Sequence, residues 1–364
     1  MFRSFKFEKI KRWYARYERF LIPGALVFGI LVDTTTFRYI NLSLAFTILF
    51  IHLVLSLSAI TFMHVYDTVL ATYEKQFLRY IRLFSPLLLQ FSFGALLSGF
   101  LIFYGFGGSF GVSWPFLLLI VFLMVSNDLL KKYYLQLTVH ASVYFFILFS
   151  YSALVLPHIL KQMSVGIFIL SGVLSLVLMF LYITLLARYI PQVKEKKQTL
   201  ITSILLVATL MNVFYFTNII PPIPLTLRDI GVYHSVSRDP QTGQYRLLTE
   251  VLSLSDRLRL YPPIASKDSV FVFSSVFAPA DLRTNIIHHW QYYDSKTQKW
   301  VSAGRPSFPM IGGRDQGYRG YSRNTVFPGL WRVSVETPRG QVVGRIRFRV
   351  TQSYNPPLLR EEVR

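Results

Sequence analysis

Cysteine is absent from this 364-residue chain. That absence excludes disulfides, thiolate metal sites, cysteine nucleophiles and lipoprotein acylation together. An export compartment stays open, because a domain of this size builds its core without cross-links. Acidic residues are scarce: 18 Asp and Glu stand against 38 Lys and Arg, a formal charge of +20. Metal-ligand spacings, internal repeats and nucleic-acid modules are missing as well. No metal, other cofactor or nucleic acid is therefore expected as a partner.

Long apolar runs are what the chain does have. They cover Phe20–Phe37, Asn41–Phe62, Leu83–Tyr104, Val112–Ser126, Leu137–Leu156, Val165–Leu186 and Leu200–Ile219. Most approach the ~20 residues that carry a helix across a hydrocarbon core. Sixteen of the eighteen basic residues in the first 220 positions fall in alternate gaps between these runs; the other gaps hold only Arg38 and Lys161. Basic residues collect on the cytoplasmic side, so seven transmembrane helices, a cytoplasmic N-terminus and an extracytoplasmic C-terminal part are expected. The basic N-terminal flank is long and no A-x-A site follows the first run, which predicts an uncleaved anchor.

From Pro221 the pattern changes. Pro221, Pro222 and Pro224 make a stiff, extended exit. Beyond them, Val270–Phe277, Asn285–Tyr293, Trp300–Ser302, Thr325–Phe327, Trp331–Glu336 and Val343–Val350 read as short strands, with hairpin turns at Pro338-Arg339-Gly340 and Asp294-Ser-Lys-Thr. The expected fold class is an α-helical membrane domain followed by an all-β, antiparallel, sandwich-like extracytoplasmic domain. The expected divisions are 1–220 for the helices, 221–268 for a proline-rich exit and connecting segment, 269–352 for the β domain, and 353–364 for a C-terminal tail.

Net charge divides as +11 for residues 1–220 and +9 for the remainder. A basic domain outside the cytoplasm faces anionic headgroups, phosphorylated glycans and acidic proteins. The densest polar stretch is Gly312-Gly-Arg-Asp-Gln-Gly-Tyr-Arg-Gly-Tyr-Ser-Arg-Asn324. Its glycines permit unusual backbone shapes, while Arg314, Arg319, Arg323, Tyr318 and Tyr321 offer forked donors and flat faces for phosphate, carboxylate or sugar. With Asp315 and nearby His289 they form the candidate ligand-binding set; the competing reading is a connector in which Asp315 pairs with an arginine.

In His288-His289-Trp290, strand alternation sends His288 and Trp290 to one face and His289 to the other, which disfavours a shared metal. Trp290 and Trp331 are expected in the core, with His288 hydrogen-bonded beside them. Gly107-Gly-Ser109-Phe-Gly111 matches the hydrolase pattern G-x-S-x-G but lies in a link between spans, not on a strand-to-helix turn. Within the membrane, Asp33 is the informative charge: it pairs with Arg38 or marks an ion path. His52 and His140 lie at different depths, against a haem pair. Small residues Gly94, Ala95, Ser98 and Gly99 predict close helix packing in the third span.

Gly29-Ile-Leu-Val-Asp33-Thr-Thr-Thr-Phe-Arg38, Phe93–Gly99, Asn127-Asp128, His288-His-Trp290, Gly312–Ser322 and Gly329–Thr337 together resemble a family of bacterial multi-span membrane proteins. Their C-terminal part is the domain of unknown function 2914. The resemblance covers nearly the whole chain. Asn127-Asp128 stands where that family often carries Asn-Glu, which keeps the acid. It implies residence in the bacterial inner membrane and a β-rich periplasmic domain, and it brings no activity.

Three function classes follow. The leading expectation is a non-enzymatic binding or scaffolding protein of the bacterial envelope, anchored in the lipid bilayer, that presents its basic β domain to a glycan, a lipid headgroup or a membrane protein partner. The alternative is a transporter or lipid-handling protein with its site among the helices. An enzyme would need an acid and base, for which Asp315 with His288 or His289 is the candidate pair.

Overall fold

The computed structural model describes residues 17, 24, 28, 31–32, 42–70, 75–106, 110–129, 137–222, 225–257, 259–265, 268–278, 282–312, 317–352 and 357–364. Most of the first expected span, with Asp33 and Arg38, lies outside them. So do Arg314 and Asp315. The chain forms two units, one helical and one of strands; the strand unit comprises Phe106–Ser113, Lys161–Met163 and Ile220–Arg364.

The helices are α1 (Leu42–Thr68), α2 (Gln76–Phe106), α3 (Phe110–Leu129), α4 (Leu137–Ile159), α5 (Val165–Tyr189), the short α6 (Pro191–Glu195) and α7 (Lys197–Phe216). Five of these, α1, α2, α4, α5 and α7, are long and apolar enough to cross a membrane, and the apolar part of α3 is shorter. Small residues set the closest packing. Ser171 and Ser175 of α5 donate to the carbonyl and hydroxyl of Ser152 in α4, both at 3.2 Å. Gly172 lies between them, and a Cβ there would press on the Phe149 ring. In α2, Ser92, Ala95 and Ser98 are buried. Phe168 and Tyr215 stack in parallel at 3.6 Å between α5 and α7. His140 meets His64 of α1 at 3.5 Å, a neighbour that the comparison of His140 with His52 did not consider.

The strand unit runs β1 (Thr226–Tyr233), β2 (Ser235–Arg238), β3 (Tyr245–Glu250), the four-residue α8 (Leu254–Arg257), β4 (Pro263–Ala265), β5 (Ser269–Phe277), β6 (Arg283–Asp294), β7 (Lys299–Gly304), β8 (Ser307–Ile311), β9 (Tyr318–Thr325), β10 (Gly329–Glu336), β11 (Val342–Thr351) and β12 (Leu359–Val363). Three sheets form. The central one is β1-β5-β9; the large one is β4-β11-β10-β6-β7 with β8 also on β6; the small one is β12-β3-β2. All pairs are antiparallel except β4 with β11.

β5 explains the layering. Period-two alternation sends Val270 and Val272 into a core with Trp290, Trp331, Val333 and Phe348 of the large sheet. It sends Phe273 the other way, onto Tyr233, Tyr245 and Leu247 beside the small sheet. Both faces of β5 are therefore buried, which is why its sequence reads as a nearly continuous apolar run. Burying each large side chain contributes roughly 1.5–3 kcal/mol. The turn after β10 forms as expected: Gly340 adopts φ +80° and its N–H bonds to the Thr337 carbonyl at 2.9 Å.

The expected divisions need correction. Residues 221–268 carry β1 to β4, and 353–364 carry β12, so both segments belong to the strand unit. β1 and β3 alternate weakly in sequence because polar residues such as Arg228 and Thr249 interrupt the apolar period. A further strand was expected at Thr325–Phe327; it runs instead over Tyr318–Thr325, inside the supposed binding loop. Gly320 is needed there because the Phe308 ring of β8 occupies the space a Cβ would take.

Candidate functional site

His288 is a buried tie between sheets, not a surface group. Its Nε2 meets the Ser274 hydroxyl of β5 and its Nδ1 the Ser322 hydroxyl of β9, both at 2.8 Å; Trp290 Nε1 also donates to Ser322, at 2.9 Å. Burial pushes the imidazole pKa down to about 4, so the ring is neutral at physiological pH. Among the described residues no group of three or more His, Asp or Glu could hold a metal ion.

β9 splits the expected binding set. Tyr318 turns toward the core, beside Val276 and Val335. Arg319, Tyr321 and Arg323 share the opposite face, across from Ser275, Phe273 and Phe271. Tyr321 packs its ring against Tyr245 at 6.1 Å, and Arg323 lies over the Phe271 ring at 5.7 Å while donating to Ser269 Oγ. Arg319 lines a cleft of about 450 Å³ with Arg228, Asp229, Gln244, Phe273, Ser275, Val363 and Arg364.

His289 is elsewhere, on the outer face of the large sheet, where it belongs to a second set. Alternation along β10 puts Trp331, Val333 and Val335 in the core and Arg332, Ser334 and Glu336 outward. His289 Nδ1 meets Glu336 Oε1 at 3.1 Å, and His289 Nε2 meets the Ser302 hydroxyl at 3.1 Å. A carboxylate accepts only, so Nδ1 carries the proton and, in the neutral ring, Nε2 accepts from Ser302. Arg305 takes the other Glu336 oxygen at 3.2 Å.

Beside this relay stand three arginines. Arg332 and Arg347 are direct cross-strand partners, and Arg345 is opposite Ser334 in the same pairing. Arg332 donates Nε–H to Gln291 at 2.8 Å and lies 4.2 Å over the Trp300 ring; Arg345 donates Nε–H to Ser334 at 2.9 Å. Among the described residues no carboxylate forms an ion pair with any of the three. Burial, and then the charges of Arg345 and Arg347, push the Arg332 pKa down to about 10, so it stays protonated at neutral pH under repulsion. Burial and Arg347 act on Arg345 in the same direction. Their Nε bonds orient two guanidiniums, an arrangement suited to forked bonds with phosphate or carboxylate. The sequence reading missed this cluster, although Arg345, Arg347 and Arg349 recur at period two through an apolar strand.

Comparisons add little beyond the domain. No curated protein matches this chain. Among solved structures, a β-glucosidase from Kluyveromyces marxianus is similar at 14% identity over 24% of this chain and 13% of its own, with a TM-score of 0.19. A β-glucosidase from Listeria innocua in complex with gluconolactone is similar at 13% identity over 35% of this chain and 16% of its own, with a TM-score of 0.20. The chain spans less than a fifth of either enzyme, and likeness this slight carries no inference. The expected resemblance is matched over part of its length: residues 283–350, which run from β6 through β11 and hold the arginine cluster and the His289 relay, match the family described as "Protein of unknown function (DUF2914)".

Proposed function

We propose that this chain is a membrane-anchored, non-enzymatic binding protein of the bacterial envelope, whose strand unit holds anionic groups of an extended ligand on the outer face of the large sheet. The observation that carries it is the trio Arg332, Arg345 and Arg347, adjacent, half-buried and in no ion pair with a carboxylate among the described residues, with Glu336 offsetting only part of the repulsion on Arg332 and Arg345. Like charges placed opposite each other on neighbouring strands destabilise a sheet. A bound phosphate or carboxylate removes that repulsion. The face is built on strands and its three arginines are partly exposed, which suits a polymer or a headgroup array, and both sources share this anion chemistry.

Anchoring is supported by α5, whose pattern is inverted relative to a helix in water. Ile169, Leu170, Val173, Leu174, Val177, Leu178, Leu181 and Leu185 are exposed, while Ser171, Gly172 and Ser175 are buried. Such a face has hydrocarbon as its natural solvent. The charge asymmetry supports a cytoplasmic N-terminus and a periplasmic strand unit in the inner membrane.

Binding of the full chain, in nanodiscs of zwitterionic lipid, to polygalacturonate and to vesicles containing phosphatidylglycerol tests the proposal. Saturable binding to either probe, weakened roughly tenfold or more by each of Arg332→Gln, Arg345→Gln and Arg347→Gln, is expected. Binding to neither, or binding indifferent to all three changes, would overturn it.

One observation favours a second, enzymatic reading: Ser302, His289 and Glu336 stand in the order hydroxyl, imidazole, carboxylate that activates a nucleophile. Covalent labelling of Ser302 by a fluorophosphonate, lost in His289→Gln, would support it; an unlabelled protein would remove it.

A further inference from the structure

The outer face of the large sheet carries more than charge, and its cross-strand register shows what else. Ser302 of β7, Gln291 of β6, Arg332 of β10 and Arg347 of β11 are successive partners, forming one row across four strands. Neighbouring strands lie about 4.8 Å apart, so the row spans about 14 Å. Beside it, Tyr293 of β6 is paired with Trp300 of β7. Arg332 stacks over the Trp300 ring at 4.2 Å, which puts that ring on the outer face, and the Tyr293 ring makes a T-shaped contact with it at 5.4 Å. Alternation agrees, since Tyr293 shares its face of β6 with Gln291 and His289. Two aromatic rings, an amide and a hydroxyl therefore border the arginines on the β6 and β7 side.

This mixture narrows the occupant. Gln291 gives its carbonyl oxygen to Arg332 at 2.8 Å, which leaves its NH2 to meet a hydroxyl, and Ser302 is exposed. A sugar ring offers hydroxyls to such groups and its C–H face to an aromatic ring, while an acidic substituent meets the guanidinium forks. A bilayer surface selects a different face, in which aromatic rings stand with aliphatic side chains that enter the acyl boundary. The large apolar side chains exposed on the strand unit, such as Ile311, Phe327 and Leu358, lie off these four strands; among the described residues of β6, β7, β10 and β11 none is exposed. Resting on the reading of this face as an anion site, we infer that its ligand is an acidic polysaccharide laid across the strands. Sugar rings pack against Tyr293 and Trp300, and acidic groups meet Arg332 and Arg347.

Calorimetric titration of the full chain in zwitterionic nanodiscs tests this by comparing polygalacturonate with polyglutamate of matched charge, a carboxylate polymer without sugar rings. Polygalacturonate is expected to bind more tightly, by about fivefold or more. Tyr293→Leu should abolish that advantage, bringing polygalacturonate down to polyglutamate, and Tyr293→Phe, which keeps the ring, should preserve it. Arg332→Gln should weaken both polymers about tenfold or more. Three results would overturn the inference: equal affinity of the unaltered chain for the two polymers, an advantage that survives Tyr293→Leu, or an equal loss for both polymers in Tyr293→Leu, which would leave the ring a part of the fold alone. Failure here and failure of the proposed function are read separately. Both polymers binding alike through Arg332, or vesicles of phosphatidylglycerol binding where polygalacturonate does not, would keep the anion site and remove the sugar. Binding of neither polymer nor vesicles would remove both.

Discussion

His288 shows how one buried side chain links packing to pH. Its neutral ring bridges Ser274 and Ser322, and its pKa falls from 6.5 to about 4 on burial. The unfolded chain therefore takes up a proton first as pH drops. The contribution of His288 to stability is full above about pH 6.5 and declines until about pH 4, by roughly 3 kcal/mol in total. Urea unfolding of the full chain, followed by tryptophan fluorescence at pH 7 and pH 4.5, should show this decline, and His288→Gln should remove most of it. A pH-independent midpoint would contradict the buried tie. The residue reading placed His288 and Trp290 inward from alternation alone. It could not place His289, because its partner Glu336 is 47 residues away and register across strands is not written in either segment.

At the scale of elements, helices were legible because apolar runs of this length have few alternatives; α2 and α7 begin before their runs, at the polar residues Gln76 and Lys197, and α7 ends at Phe216, short of Ile219. Strands with an apolar period, β6, β10 and β11, were legible too, as was β5 from its nearly continuous apolar run. β9 was not: Arg319, Tyr321 and Arg323 alternate with Tyr318, Gly320 and Ser322, a polar-in, polar-out pattern whose inward hydroxyl exists to meet His288 and Trp290. The arginine cluster escaped notice for a related reason, since its members become neighbours only through the pairing of β10 with β11. Between α4 and α5, packing depends on absent side-chain bulk at Gly172. Gly172→Leu should force Phe149 aside and destabilise the helical unit by about 1–3 kcal/mol, read as a lower thermal midpoint in detergent; Leu181→Val, on the exposed face of α5, should change it by less than about 1 kcal/mol. Equal effects at the two positions would refute the inward placement of Gly172.

For the whole molecule, the missing cysteines turn topology into a direct experiment, since any introduced thiol is the sole one. Ser295→Cys, in the β6–β7 turn, should react with a membrane-impermeant maleimide added to spheroplasts. Lys194→Cys, in α6, should react only after lysis. The reverse pattern would invert the proposed orientation.

Binding of an anionic ligand on the arginine face of the large sheet would slow amide exchange in the strands that carry it. Hydrogen–deuterium exchange of the full chain in nanodiscs, with and without polygalacturonate or phosphatidylglycerol, tests it most directly. Ligand-dependent protection is expected to concentrate in residues 329–336 and 342–351 and to be absent when Arg332, Arg345 and Arg347 are all glutamine. Protection confined to the helices, or unchanged exchange in both strands with either ligand, would contradict it.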